Sequence, residues 1–375
     1  GEVGGYERPN WFARNGAKPE YQYSYKRQNW FEFSAAEHRA VREAVGMYDV
    51  SSFGKFRVTG SDALATLQRL SCADIAVPVG GLVYTQWLNT RGGIEADLTI
   101  ARQAEAVFLV MTGVASTYRD SWHLRKNLLG DTFVEDLSAA YACLAIQGPQ
   151  ARTVLAKVTD CDLSNRAFTF ATGCLTKVAG VEVWLQRISY TGELGWELLI
   201  PASAAPRVYQ ALWQAGLTED ICNVGLHAVN SLRLEKGFRH WGHDMGPTDN
   251  LQQAGLAFTA KPEVKDFIGR DVFLATKAVG LPERRLVQFR LHDPEPLLYH
   301  HEPIVFDEQI VGYLTSGMYG HSLGSAIGMG YVNLPNLTAE NIRTGAFEIE
   351  IARKRFTVEA SLHGFYDPTG ARMRA

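Results

Sequence analysis

"YTQWLNTRGGIEADLTIAR", residues 84–102, is the stretch that decides how this chain folds. From Ile94 onward, apolar Ile94, Ala96, Leu98 and Ile100 alternate with polar Glu95, Asp97 and Thr99, the period of two that marks a strand with one buried face. Upstream, "LVYTQWL" (82–88) reads as a second strand, so "NTRGG" connects an antiparallel hairpin in which Gly92 and Gly93 are free to take positive φ. Residues i and i+2 of a strand share a face at about 6.5–7 Å, so Glu95 and Asp97 project together. Spacing alone describes an ordinary solvated face as well as a working pair of carboxylates.

The neighbouring segments give the hairpin its context. "FSAAEHRAVREAVGMYDVSS" places Ser34 three residues before Glu37, the capping-box spacing, and Gly46 where a helix would stop, which predicts a helix over about 35–45. A second helix is expected over about 61–70 and a third within "STYRDSWHLRKNLLG" (116–130), ended by Gly130. "YACLAIQGPQARTVL" reads as a strand turning through Gly148-Pro149 into a helix. The pattern then returns: strands "VEVWLQRI" (181–188) and "WELLIP" (196–201), a helix near 204–215, and a helix over 224–237 closed by Gly237. Strands and helices alternate in an α+β manner, as two similar lobes would. From about residue 285 short strands separated by Gly, Pro and Asp take over, as in a small β barrel or sandwich. The expected division is 1–280 for a bilobed region and 281–375 for a C-terminal β-barrel domain.

Composition excludes several classes of function. The chain has 375 residues, 46% of them hydrophobic, enough for two or three compact units, since single cores stop growing at roughly 250–300 residues. The net charge of −3 comes from interspersed acids and bases, without the basic stripe that nucleic acid requires. No apolar run approaches the ~20 residues of a membrane span, and no export signal opens the chain, so a cytoplasmic protein is expected. Five cysteines without a CxxC pair suit a reducing compartment better than a disulfide framework or a zinc site. "HWGHD" (240–244) has no second ligand cluster at metal-binding spacing, and metal is not expected. No GxGxxG or GxxxxGK[ST] motif occurs, so a nucleotide-binding domain is not indicated, and nothing marks a Ser or Cys as paired with a base, so nucleophilic catalysis is not indicated either.

A second stretch carries chemistry. In "SYTGELGWELLIP" (189–201) Tyr190 leads a glycine-bearing turn and Glu197 follows on the next strand. A carboxylate among aromatic neighbours can accept paired hydrogen bonds from an N–H and an NH2 on one edge of a flat heterocycle, and a tyrosine can lie against its face.

Taken together, "GYERPNWFA", "EHRAVREAVGMYDVSSFGKF", "LNTRGGIEADLTIAR", "AIQGPQAR", "SYTGELGWELLIP", "NSLRLEKGFRHWGHD" and "GYLTSGMYGHSLGSAIGMGYV" resemble, in order, the folate-binding half of dimethylglycine and sarcosine dehydrogenases. That half is in turn similar to the aminomethyltransferase, or T-protein, of the glycine cleavage system. The resemblance implies a cloverleaf of two related α+β lobes and a C-terminal barrel with tetrahydrofolate in the central hole. It assigns Asp97 to the catalytic aspartate, and Glu197, Tyr190 and Tyr84 to the cofactor-binding residues; Glu95 is left as an auxiliary or a solvated neighbour.

The function it implies is capture of the imine or formaldehyde released by N-demethylation of a methylated amine, giving 5,10-methylenetetrahydrofolate. Two alternatives stand beside it: a methyltransferase of the same fold acting directly on tetrahydrofolate, and a non-catalytic folate-binding regulatory subunit. Val229, in "HAVNSLRLE", stands where the glycine cleavage enzymes have an arginine, which favours the dehydrogenase-type relatives. The dehydrogenases carry a flavin domain before "YERPNWF"; this chain is therefore expected to hold no flavin site, with FAD on a missing N-terminal domain or a separate flavin dehydrogenase subunit. That kinship makes the mitochondrial matrix the alternative compartment.

Overall fold

A computed structural model describes residues 1–375. A two-residue ladder, β1 (Glu2–Val3) with β2 (Tyr6–Glu7), precedes α1 (Phe31–Glu43) and β3 (Gly46–Asp49). The first lobe then runs β4 (Gly54–Thr59), α2 (Ala63–Leu70), β5 (Leu82–Leu88), β6 (Ile94–Ala104), β7 (Val107–Thr112), α3 (Thr117–Lys126) and β8 (Phe133–Asp136). The second repeats the succession: β9 (Tyr141–Gln147), α4 (Ala151–Ala156), β10 (Thr172–Val178), β11 (Val181–Arg187), β12 (Gly195–Pro201), α5 (Ala205–Gly216) and β13 (Cys222–Asn223).

The sheets repeat it too, in the orders β5-β6-β7-β4-β8 and β10-β11-β12-β9-β3-β13. These are the two related lobes expected from the sequence. One strand breaks the pattern: β3 precedes the first lobe in the chain yet pairs with β9 and β13 in the second lobe's sheet, so the lobes are sewn together.

Helices α6 (Leu226–Glu235) and α7 (Arg270–Val279) follow, and position 280/281 falls between α7 and the next strand. Strands β14 (Arg284–Leu291), β15 (Pro303–Phe306), β16 (Gln309–Gly320) and β17 (Ser325–Asn333) continue the chain. After the short helix α8 (Ala339–Thr344), β18 (Glu348–Ile351) and β19 (Lys354–Ser361) close a six-stranded barrel. No helix is long and apolar enough to cross a membrane.

Each lobe buries the outer face of its sheet under its own helices: Phe56 and Val110 against Leu67 and Leu124 in the first, Trp196 and Leu198 against Val154 and Leu212 in the second. The inner faces meet. Leu82, Leu109 and Met111 of one sheet share a core with Cys143, Ala145 and Leu199 of the other. Where the sheets part, they wall a central cavity.

Four local expectations are corrected. Helix α1 starts at Phe31, and Ser34 lies inside it, buried and capping nothing. Glu37 does not close a capping box; its carboxylate accepts from the Phe12 and Gly225 amides, both at 2.8 Å, so it pins the N-terminal segment to the start of α6. Gly46 is not a helix stop but the first residue of β3, where a Cβ would collide with Val41 and Val224. In the hairpin only Gly92 needs positive φ (80°); Gly93 is required because a Cβ there would strike the Pro247 carbonyl. Helix α3 also ends at Lys126, short of Gly130.

Candidate active site

The opening hairpin forms as its alternation predicts. Ile94, Ala96, Leu98 and Ile100 are buried, and β5 and β6 pair so that Gln86 lies opposite Asp97 and Tyr84 opposite Thr99. The polar face is turned to a cavity, where Tyr84 remains 40% exposed. Tyr84, Asp97 and Thr99 line the central cavity, about 1310 Å3 in volume. Glu95 is diverted at the end of the strand, where it pairs with Arg119 and accepts from Asn89 at 3.3 Å.

Asp97 is held rigidly. Gln86 Nε2 donates to its Oδ1 at 2.7 Å, and Thr259 Oγ1 donates to Gln86 Oε1 at 2.7 Å, which fixes the amide's orientation. The Tyr84 hydroxyl lies against the same carboxylate. Burial raises the Asp97 pKa to about 6, opposed by Gln86, Tyr84 and the Arg239 charge. Burial, reinforced by Asp97, pushes the Tyr84 phenol well above its ordinary range.

Glu197 is held by the same chemistry in the other lobe. It lies opposite Gln186 across β11 and β12, accepts from Gln186 Nε2 at 2.8 Å, and Trp184 Nε1 fixes that amide by donating to Gln186 Oε1 at 3.1 Å. In the shared strand order the two clamps sit one strand apart, so they are alike in chemistry and not in position. Glu197 is 8% exposed, and burial raises its pKa. Its Oε1 has no protein donor and belongs to the cavity wall. A carboxylate left half-satisfied in this way is prepared for a ligand with N–H groups to give.

Tyr190 opens the turn that leads into β12. Its hydroxyl donates to the Arg239 carbonyl at 3.1 Å, and its ring stacks on Phe238 with centroids 6.2 Å apart; burial raises its pKa to about 12. The four residues singled out from the sequence, Asp97, Tyr84, Tyr190 and Glu197, thus line one cavity between the two lobes. Val229 also lines it. Asp244 of "HWGHD" does not act as a free ligand: it accepts from Arg233, Thr315 and the His240 amide at 2.7, 2.6 and 2.9 Å.

Sequence reasoning missed the two glutamines and Arg239. Arg239 lines the cavity near Asp97 and Tyr84 while donating to the Ala254 and Gly237 carbonyls at 3.0 and 2.8 Å. The polar period of β5 and β11 could have pointed to Gln86 and Gln186, since each is the register partner of a carboxylate; no spacing rule marks Arg239.

Residues 1–263 match the GCVT N-terminal domain family and residues 284–367 the glycine cleavage T-protein C-terminal barrel domain family. The chain is 40% identical over 376 residues to 4-methylaminobutanoate oxidase (formaldehyde-forming) of Paenarthrobacter nicotinovorans, covering 100% of this chain and 45% of that protein. It is 34% identical over 416 residues to mitochondrial sarcosine dehydrogenase of Homo sapiens, covering 99% and 45%. With the aminomethyltransferase of Exiguobacterium sibiricum it shares 36% identity over 332 residues, 88% of each chain. The chain thus spans about half the length of the first two relatives and most of the third. In three dimensions it matches the crystal structure of glycine cleavage system aminomethyltransferase T from Bartonella henselae with a TM-score of 0.80 at 26% identity, covering 93% of this chain and 94% of that one.

Proposed function

The chain belongs to the glycine cleavage T-protein family of aminomethyltransferase-like enzymes, and from that premise we propose that it transfers a one-carbon unit from a demethylated amine to tetrahydrofolate, giving 5,10-methylenetetrahydrofolate. The observation that carries the reading is the pair of carboxylates, Asp97 and Glu197, one from each lobe, each clamped by a glutamine and both lining a single cavity. The donor side rests on the relatives, two of which are named for the oxidation of methylated amines. A flavin-dependent domain or subunit would release the imine or formaldehyde, and this chain would capture it.

When bound, tetrahydrofolate supplies the nitrogen nucleophile that takes up the carbon. Glu197 would hold the N–H and NH2 edge of the pterin, its Oε1 lacking a protein donor and its Oε2 taking one bond from Gln186. Tyr190, fixed against Phe238, and Tyr84, which lines the same cavity, would help to hold the ring. Asp97 accepts the proton of the arylamine-type nitrogen, or fixes its lone pair toward the incoming carbon, and its charge stabilises a cationic iminium donor. A carboxylate whose pKa sits at about 6 is ionised at neutral pH yet basic enough to hold a proton in transit. Gln86 prevents Asp97 from swinging away.

The test is product identity. With formaldehyde or a demethylating flavoenzyme as donor, the parent chain is expected to form 5,10-methylenetetrahydrofolate faster than the uncatalysed reaction, and Asp97→Asn to lose about 10²-fold or more of that acceleration. Equal rates for parent and variant would remove Asp97 from the mechanism, and a 5-methyl product would make the chain a methyltransferase.

A further inference from the structure

A smaller cavity, about 480 Å3, lies where the edges of the two lobes meet, and it shares no lining residue with the central one. The first lobe contributes Pro78–Gly81 to its wall, and the second contributes Cys161, Gly173 and Cys174 among others. The two lobes are hydrogen-bonded at this edge. The Gly173 amide donates to the Gly80 carbonyl at 2.7 Å, and the Leu82 amide to the Ala171 carbonyl at 2.9 Å. The start of β10 is therefore a seam between the lobes, and Cys174 follows it directly.

Two sulfurs face each other here. Cys161, in the loop after α4, and Cys174, in β10, bring their Sγ atoms to 3.8 Å, and both residues keep part of their surface exposed, whereas Cys72, Cys143 and Cys222 are buried. The loop is already laid along β10. The Ala179 amide donates to the Val158 carbonyl at 2.7 Å, and Thr159 Oγ1 donates to the Lys177 carbonyl at 2.7 Å. A disulfide holds its sulfurs at about 2 Å, so the pair has to close by roughly 1.8 Å, a distance that rotation of the thiols about Cα–Cβ can supply. A partly exposed thiol alone invites overoxidation; two in contact give the first oxidised sulfur an immediate partner.

We infer that Cys161 and Cys174 form a redox-responsive pair, oxidised by a hydroperoxide to a disulfide that fastens the loop after α4 to the strand at the seam between the lobes. The Cys161 sulfur attacks the peroxide oxygen, the O–O bond breaks, and a sulfenic acid and one water or alcohol form. The Cys174 sulfur then attacks the sulfenic sulfur. Its proton leaves with the hydroxide as a second water, so two thiols and one hydrogen peroxide give one disulfide and two waters. Burial, with Cys161 beside it, pushes the Cys174 thiol up to about 12, so Cys174 keeps its proton until that step and serves as the resolving partner. In a reducing compartment such a bond is transient, the behaviour of a sensing pair and not of a structural staple. The inference is independent of what the central cavity binds.

The experiment treats the fully reduced chain with one equivalent of hydrogen peroxide, alkylates the remaining thiols in denaturant, and maps the peptides by mass spectrometry, beside Cys174→Ser and Cys161→Ser. The parent is expected to lose two of its five alkylatable thiols, to gain no oxygen, and to yield one cross-linked pair of peptides carrying Cys161 and Cys174, separated again by dithiothreitol. Neither variant should form a disulfide. The oxidised parent should also melt several degrees above the reduced one, because the bond closes a loop in the unfolded chain, and the variants should show no such difference. Five thiols retained in the parent, a cross-link elsewhere, or sulfinic acid on a single cysteine would overturn the pair. A Cys161–Cys174 bond that leaves the melting temperature unchanged or lowers it would overturn its role as a fastening. The two variants alter the strand and the loop separately, so a folding failure of one leaves the other as the control.

Discussion

Asp97 draws its chemistry from being a charge in the wrong solvent. The folded chain surrounds it with apolar strand and cavity wall and returns only one firm hydrogen bond, from Gln86 at 2.7 Å, so its pKa climbs from 3.8 to about 6. A raised pKa means that the folded state holds this proton more tightly than the unfolded chain does. The contribution to stability is therefore present below the ordinary carboxylate range and is lost as pH rises through about 6. Activity has the opposite slope, because the ionised form is the base. The kcat/KM for one-carbon transfer is expected to rise with pH to a plateau above about 6, and Asp97→Asn to lose that limb. In melting scans the same variant should be more stable than the parent above pH 6, the difference shrinking toward pH 4. A parent pH profile without a limb in this region would show that Asp97 does not titrate in the reaction.

At the scale of elements, the hairpin shows what a sequence makes legible. The alternation over Ile94–Ile100 encodes a strand locally, and the strand formed; the recurrence of strands and helices announces two lobes, and the two sheets share one order apart from the inserted β3. Tyr84, Tyr190, Glu197 and Asp97 were found through their motifs, and the structure brings them to one cavity. Gln86 and Gln186 were not found, because their meaning lies in cross-strand register. Glycines misled for a related reason. Gly46 and Gly93 read as conformational residues, but each is small because another segment, Val224 or Pro247, comes close from far along the chain. Gly93→Ala is accordingly expected to destabilise by about 1–3 kcal/mol through overpacking against Pro247, measured as a lower denaturant midpoint. A neutral result would mean that the 247 loop yields freely and does not brace the hairpin.

The whole molecule is arranged to hold two lobes in fixed relation around a shared space. Strand β3 crosses into the second sheet, and beneath it Arg42 of α1 bonds Glu193 and Glu235 at 2.9 Å each, while Arg372 near the C-terminus reaches Glu193 at 2.7 Å. Arg42 also donates to the Thr191 carbonyl at 2.8 Å, so this buried network fixes the turn that carries Tyr190. Such a network is weak evidence for net stability but strong for a single arrangement of the parts it joins. The cavity is therefore defined by elements from both lobes, and its ligand should feel both.

That last property is tested most directly by titrating the chain with tetrahydrofolate under anaerobic conditions, beside Glu197→Ala and Asp97→Asn. The expected result is binding by the parent, weakened at least tenfold by Glu197→Ala, since a carboxylate accepting paired N–H bonds is removed, and little changed by Asp97→Asn, whose role lies in the transfer step. Binding that is absent in the parent, or indifferent to Glu197, would contradict a folate site shared by the two lobes.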